Sequence, residues 1–325
     1  MKSILAGLSA LLLAAAVVRA QQSPPEVHGH FSFSFLRGEA ESDAPSGSFE
    51  DIGGGLSLSG LFAANFDYRF ELRSRAEARF GMEEAWLGFN PFPAFGVRAG
   101  LYLVPFGRFN RFNRPHENLL AGTPLPFTSV TPESWRDIGL LASGRTSFLF
   151  YALSLGNGLG ENEAGEPEQQ FRDNNASKDV VGRLGIQWKA GLETAVSYSR
   201  QEFGPAGARR ADLLGADASW ITDNYRILGE YVRMEKDDAA GGRVNEEGWY
   251  VQLALDYKSL WPVASYQRLK TDPAASPAVE RRRWTVGLAG ILFSGTLLKF
   301  EYAWNREPDA EVDNDLFSVQ VAVSF

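Results

Sequence analysis

The 325-residue chain contains no cysteine and three histidines, His28, His30 and His116, which excludes a disulfide framework, thiolate chemistry and any Cys-ligated metal site. Its formal net charge is -8 and aromatic residues make up 13% of it. A mean hydropathy of -0.20 argues against a bundle of membrane helices but not against a barrel, whose lumen and loops are polar.

The N-terminus opens with Lys2, continues through an apolar run from Ile4 to Val18 and ends on Val18-Arg19-Ala20. A basic start, an apolar run of that length and a small-residue end predict a cleaved signal peptide over 1–20, leaving one mature domain at 21–325. No later apolar run approaches the ~20 residues that a membrane-crossing helix needs.

Beyond Ala20 the side chains alternate with a period of two. Phe31, Phe33 and Phe35 alternate with Ser32 and Ser34, and Phe66, Tyr68, Phe70 and Leu72 with Asp67, Arg69, Glu71 and Arg73. Trp249, Val251, Leu253 and Leu255 alternate with Tyr250, Gln252 and Ala254, and the terminal Phe317, Val319, Val321, Val323 and Phe325 with Ser318, Gln320, Ala322 and Ser324. Successive side chains of a strand point to opposite faces, so each segment has one apolar and one polar face. The pattern predicts strands at 27–37, 50–58, 62–73, 82–90, 95–104, 134–143, 146–156, 178–188, 191–201, 209–220, 224–235, 246–257, 260–270, 282–292, 295–306 and 314–325.

Alternation also suits a soluble sandwich; the connections decide between the two. One set is tight: Ser59-Gly60-Leu61, Pro91–Ala94, Gly144-Arg145, Lys189-Ala190, Ile221–Asp223, Lys258-Ser259 and Phe293-Ser294. The other set is long and rich in Gly, Pro and charge, with 105–133 and 157–177 the longest. Short turns at one end and long loops at the other are the pattern of an outer-membrane barrel. The predicted fold is all-β: a transmembrane antiparallel β-barrel of about sixteen strands, with fourteen or eighteen as neighbouring counts, and an aqueous lumen. A bacterial outer-membrane location follows.

Several segments carry a family resemblance. They are Phe49-Glu50-Asp51-Ile52-Gly53-Gly54-Gly55-Leu56-Ser57-Leu58-Ser59-Gly60, the strand Tyr68-Arg69-Phe70-Glu71, the stretch Glu83-Glu84-Ala85-Trp86-Leu87-Gly88, and Val97 through Pro105-Phe106-Gly107. Their order resembles the phosphate-selective porin O and P family over residues 49–110. The resemblance implies a sixteen-stranded homotrimeric porin whose third loop folds inward to narrow the pore. An ending on Phe325 resembles the closing-strand signal read by the barrel-assembly machinery. The family's phosphate selectivity does not carry over by name, because this chain is acidic and its expected lumen mixes signs; generic pore formation does.

The likeliest constriction is the long connection 105–133. It opens with Arg108, Arg111 and Arg114, interleaved with Phe106, Phe109 and Phe112, and no acid stands between Arg98 and His116. Guanidinium groups in a narrow pore raise the local anion concentration, since low-dielectric walls focus the field. Arg136 answers from the next strand and Arg98 from the preceding one. The alternative is that these arginines pair with Glu117, Glu133 and wall carboxylates and only hold the loop shut. The charges Asp67, Arg69, Glu71, Arg73, Arg183, Arg226, Glu230 and Lys299 are expected on the lumen wall, more as a salt-bridge network than as a binding site. The acidic runs Asp309, Glu311, Asp313, Asp315 and Glu161, Glu163, Glu166, Glu168 offer hard oxygen ligands that would let Ca²⁺ or Mg²⁺ bridge lipopolysaccharide, though solvated loops are the commoner outcome.

No cofactor, metal or nucleic-acid partner is expected. The leading function is a passive porin for small anions or other hydrophilic solutes. A non-conducting scaffold barrel around a partner protein is the alternative. An enzyme is disfavoured, since the chain has no G-x-S-x-G and only His116 inside the barrel segment as a base.

Overall fold

A computed structural model describes residues 24–75, 79–162, 166–173, 175–204, 209–238, 241–272, 279–308 and 311–325. The expected signal peptide, and Glu163 and Asp309 of the acidic runs, lie outside the described residues. The strands are β1 (Glu26–Gly38), β2 (Ser48–Ala63), β3 (Phe66–Arg75), β4 (Arg79–Phe92), β5 (Phe95–Leu103), β6 (Arg136–Arg145), β7 (Leu149–Gly156), β8 (Leu159–Glu161) and β9 (Pro167–Gln169). They continue as β10 (Asp179–Gln187), β11 (Leu192–Phe203), β12 (Arg209–Ile221), β13 (Tyr225–Asp237), β14 (Arg243–Leu255), β15 (Leu260–Asp272), β16 (Val279–Phe293), β17 (Thr296–Arg306) and β18 (Leu316–Ser324).

Strands β8 and β9 form a separate two-stranded sheet in the 157–177 loop, and the other sixteen close into one barrel. The barrel is shut by β1 against β18, antiparallel, from His30 opposite Ser324 to Gly38 opposite Leu316. The seam continues past the strand end, where Gly29 N–H donates to the Phe325 carbonyl and Phe325 N–H to the Gly29 carbonyl. Closure pairs every strand edge, which backbone in hydrocarbon demands.

The alternation read from the sequence is the alternation of the wall. On β14, Val251, Leu253 and Leu255 are exposed while Tyr250, Gln252 and Ala254 are buried. On the outer face, aromatic rings meet across neighbouring strands, edge-on for Trp249 and Tyr266 at 5.4 Å and tilted for Tyr266 and Trp284 at 4.4 Å, as in an interfacial girdle. Leu253→Arg is therefore expected to cost about 2–4 kcal/mol of barrel stability if this face meets hydrocarbon near the midplane. The urea unfolding midpoint in lipid vesicles reads this, with Gln252→Arg on the opposite face as control. Equal midpoints for the two variants would mean that the apolar face is not the lipid face.

One expected turn is displaced. Ser59, Gly60 and Leu61 belong to β2, where they pair with Arg69, Tyr68 and Asp67, and the chain reverses at Ala64-Asn65. Gly60 suits a turn by its residue type, but Asn65 supplies the turn chemistry. Gly144 and Arg145 likewise belong to β6. The Lys258-Ser259 turn stands where expected, with both residues at positive φ, 53° and 71°, as the tight hairpin turns of twisted strands require.

Candidate functional site

The chain between β5 and β6 is the longest connection among the barrel strands, and its own side chains shape its neck. Asn110 Nδ2 donates to the carbonyls of Val104, at 2.8 Å, and Trp135, at 2.9 Å, while its Oδ1 accepts from Trp135 N at 2.6 Å. One buried amide thus clasps both ends of the loop. Phe106 packs on Trp135 at 5.5 Å, and Phe109 stacks on Phe127 at 4.5 Å. These rings join wall residues Leu213, Val232, Met234, Tyr250 and Leu269 in one buried apolar cluster.

Wall side chains satisfy the loop's backbone. Glu230, on β13, accepts from Arg108 N and Phe109 N, both at 2.9 Å. The approach demands Gly107, whose φ is +65 and whose added Cβ would lie 1.8 Å from Glu230 Oε1. Gln267, on β15, accepts from Leu125 N at 2.9 Å, and Glu301, on β17, from Ala121 N at 2.6 Å and Gly122 N at 3.1 Å. Lys299, fully buried on β17, donates to the carbonyls of Pro115 at 2.6 Å and Leu120 at 3.3 Å and to Gln320 at 2.8 Å. A loop with no regular ladder leaves its N–H and C=O groups to be met this way.

The arginines divide into two sets. Arg114 makes a two-pronged contact with Glu71, Nε at 3.0 Å and Nη2 at 2.7 Å, with Glu84 at 3.4 Å and Glu117 at 3.7 Å. Burial opposes its charge, but the Glu71 carboxylate more than offsets that and raises its pKa. Arg69 bridges Glu71 and Glu84, Arg73 meets Glu83 and Asn113, and Arg136 meets Glu83 at 3.1 Å and the Met82 carbonyl at 2.8 Å. Arg183 is buried against Asp217, and Asp67 accepts from Asn90 at 2.8 Å. Apart from Asp67, whose partner is a neutral amide, each of these side chains sits in an ion pair.

The second set faces aromatic rings instead of carboxylates. Arg98 lies over Trp86 at 4.3 Å, Arg226 over Trp261 at 4.5 Å, and Arg108 and Arg111 over Phe112 at 4.4 and 5.3 Å. Among the described residues none of the four has an ion-pair partner. Burial pulls the Arg111 guanidinium down to about 10, with Arg183 and Arg108 adding to the pull. A cavity of about 930 Å³ is lined by Arg69, Arg98, Arg111, Arg114, Arg145 and Arg183 against Glu84 and Glu117.

Residues outside the expected set complete the arrangement: Asn110 and Gln267 hold the loop, and Trp86 and Trp261 back the arginines. Trp86 gave a signal in the sequence, being an aromatic on the polar parity of its strand. Among the described residues no group of three His, Asp or Glu side chains is placed to hold a metal ion. Several acids of the two runs serve the loops instead. Glu311 and Asp315 pair with Arg306, Glu166 with Lys236, and Glu161 with Arg209.

The chain matches no family model. An uncharacterized protein of Aquifex aeolicus (strain VF5) is 27% identical over 140 residues, which are 40% of this chain and 32% of that protein; the match thus spans about a third of the relative. Solved structures are similar over nearly the whole length. An anion-selective porin from Comamonas acidovorans superposes with a TM-score of 0.67 at 13% identity, covering 94% of this chain and 100% of that one. OmpF of Salmonella typhi in complex with daunomycin gives 0.69 at 10%, covering 94% and 100%, and the outer membrane channel DcaP of Acinetobacter baumannii gives 0.67 at 8%, covering 93% and 97%. At such identities the likeness is one of fold: a single closed barrel of the kind that bacterial outer-membrane porins share.

Proposed function

We propose that the chain forms a water-filled channel in the bacterial outer membrane for passive diffusion of small hydrophilic solutes, with a preference for anions, and that residues 105–133 fold into the lumen as its constriction. The carrying observation is the aromatic backing of Arg98, Arg108, Arg111 and Arg226. A ring beneath a guanidinium orients it without cancelling its charge, and leaves the N–H edge to face water or an oxoanion. In a narrow lumen with low-dielectric walls, such cations bias the ions that enter. The hydrogen bonds from Glu230, Gln267, Lys299 and Glu301 to the loop backbone support the inward fold.

The anion-selective neighbour and the resemblance to the phosphate-selective porin O and P family agree with this preference. The four arginines present no closed cage, so the reading is of a preference among anions rather than of a phosphate-specific site. A homotrimer belongs to the same proposal, in line with the trimer form of in-vitro folded OmpT from Vibrio cholerae among the similar structures. So do removal of residues 1–20, lipid and lipopolysaccharide around the apolar face, and recognition of the Phe325 strand by the assembly machinery.

Planar-bilayer recording of the purified protein tests the reading. Stepwise conductance with a reversal potential on the anion side is the expected result. A silent membrane would favour the scaffold barrel and remove the channel.

A further inference from the structure

All three histidines of the chain line one cavity of about 490 Å³, together with Glu71, Arg114 and Glu117. Two of them touch. The ring of His30, on β1, and that of His116, in the long loop, lie 5.0 Å apart between centroids and are tilted by 46°. His30 Nε2 and His116 Nδ1 are each enclosed without a hydrogen-bond partner. His30 also lines a second cavity, of about 360 Å³, with Arg73, Asn113 and Pro115, so its ring borders both spaces.

The charged groups around the pair are of both signs and come from every element packed on it. Arg73 and Glu71 face it from β3, Glu83 from β4, Lys299 from β17, and Arg114 and Glu117 from the loop itself. Glu71 is already committed to Arg69 and Arg114, and Glu83 to Arg73 and Arg136. Burial holds the His116 imidazole down to about 4, and His30, Arg114 and Lys299 add to the effect. The neutral ring thus contributes to loop docking above the ordinary histidine range, and the contribution is lost as pH falls from about 6.5 toward 4.

We propose that the His30–His116 contact is an acid-operated latch between β1 and the constriction loop, released on acidification so that the two cavities merge and the channel widens. One proton can be shared between two facing imidazoles. A second makes two like charges in contact beside Arg73, Arg114 and Lys299, and the loop segment around Pro115–Leu120 separates from β1. The latch rests on the channel reading above.

Single-channel conductance of the full-length protein, titrated from neutral pH to about pH 3.5, is expected to show a reversible upward step in the acid range. The step should be lost in His30→Gln/His116→Gln, while background effects of wall carboxylates persist. Retention of the acid step by that double variant would overturn the latch, whereas a membrane silent at every pH would remove the channel reading and the latch with it. Imidazole NMR of the unmodified protein gives an independent arm that needs no variant to fold. The His116 imidazole should stay neutral down to about pH 4, and a His116 signal that titrates in the ordinary histidine range would sink the proposal.

Discussion

Glu71→Ala is expected to lower the stability of the refolded barrel by about 3–5 kcal/mol, the usual consequence of stripping a buried cation of its partner. Glu71 is 1% exposed and takes both prongs of Arg114 as well as a contact from Arg69. Without it two guanidinium groups share only Glu84 and Glu117, and the loop's hold on β3 is reduced to the Arg73–Asn113 bond. The urea unfolding midpoint reads the stability, and the open-channel noise reads the freed loop. Adding Arg114→Leu to Glu71→Ala should restore much of the loss, because the uncompensated charge then disappears as well. A single variant as stable as the parent would show that the cluster contributes nothing to holding the loop.

Arg108→Glu/Arg111→Glu is expected to carry the reversal potential under a KCl gradient from the anion side to the cation side. Each substitution changes the local charge by two, and neither arginine has an ion-pair partner among the described residues, so on the channel reading the field along the ion path changes sign rather than merely weakening. Both arginines stand over Phe112 and neither is committed to a carboxylate, so the barrel itself should fold as before. Arg114→Glu is a different experiment: it sets a fourth acid beside Glu71, Glu84 and Glu117, and should appear as lost stability. An unmoved reversal potential in the double variant would place Arg108 and Arg111 away from the ion path.

The sixteen barrel strands could be read from the sequence because the barrel wall displays its period directly. Each strand has one exposed apolar face and one more polar face turned inward, and few residues compromise between the two. Where the reading slipped, a residue had two local meanings. Gly60 suits a turn, but opposite Tyr68 it also suits a crowded strand pair, and only the cross-strand neighbour decides. The loop site was legible as composition and not as partnership. Arg108, Arg111 and Arg114 recur every third residue and look equivalent, yet Arg114 reaches a glutamate 43 positions away while the other two remain over Phe112. The stack of Arg226 on Trp261 needs β14 between them to present the small, buried Ala254, which no single-strand pattern announces. One overlooked signal was present: Leu213, Val232, Met234 and Leu269 fall on the polar parity of their strands, and it is there that the loop's phenylalanines pack.

The pairing of His30 with Ser324 and of Phe31 with Val323 joins stretches nearly three hundred positions apart. An entropy cost that grows only as the logarithm of length makes such a joint thermodynamically tolerable, but it sets the order of assembly. Until β18 arrives, β1 and its neighbours present a bare sheet edge with one greasy side, the kind of surface that recruits other chains. A chain with this seam is open to self-association for as long as the seam is unmade, and making it removes the last bare edge of the barrel.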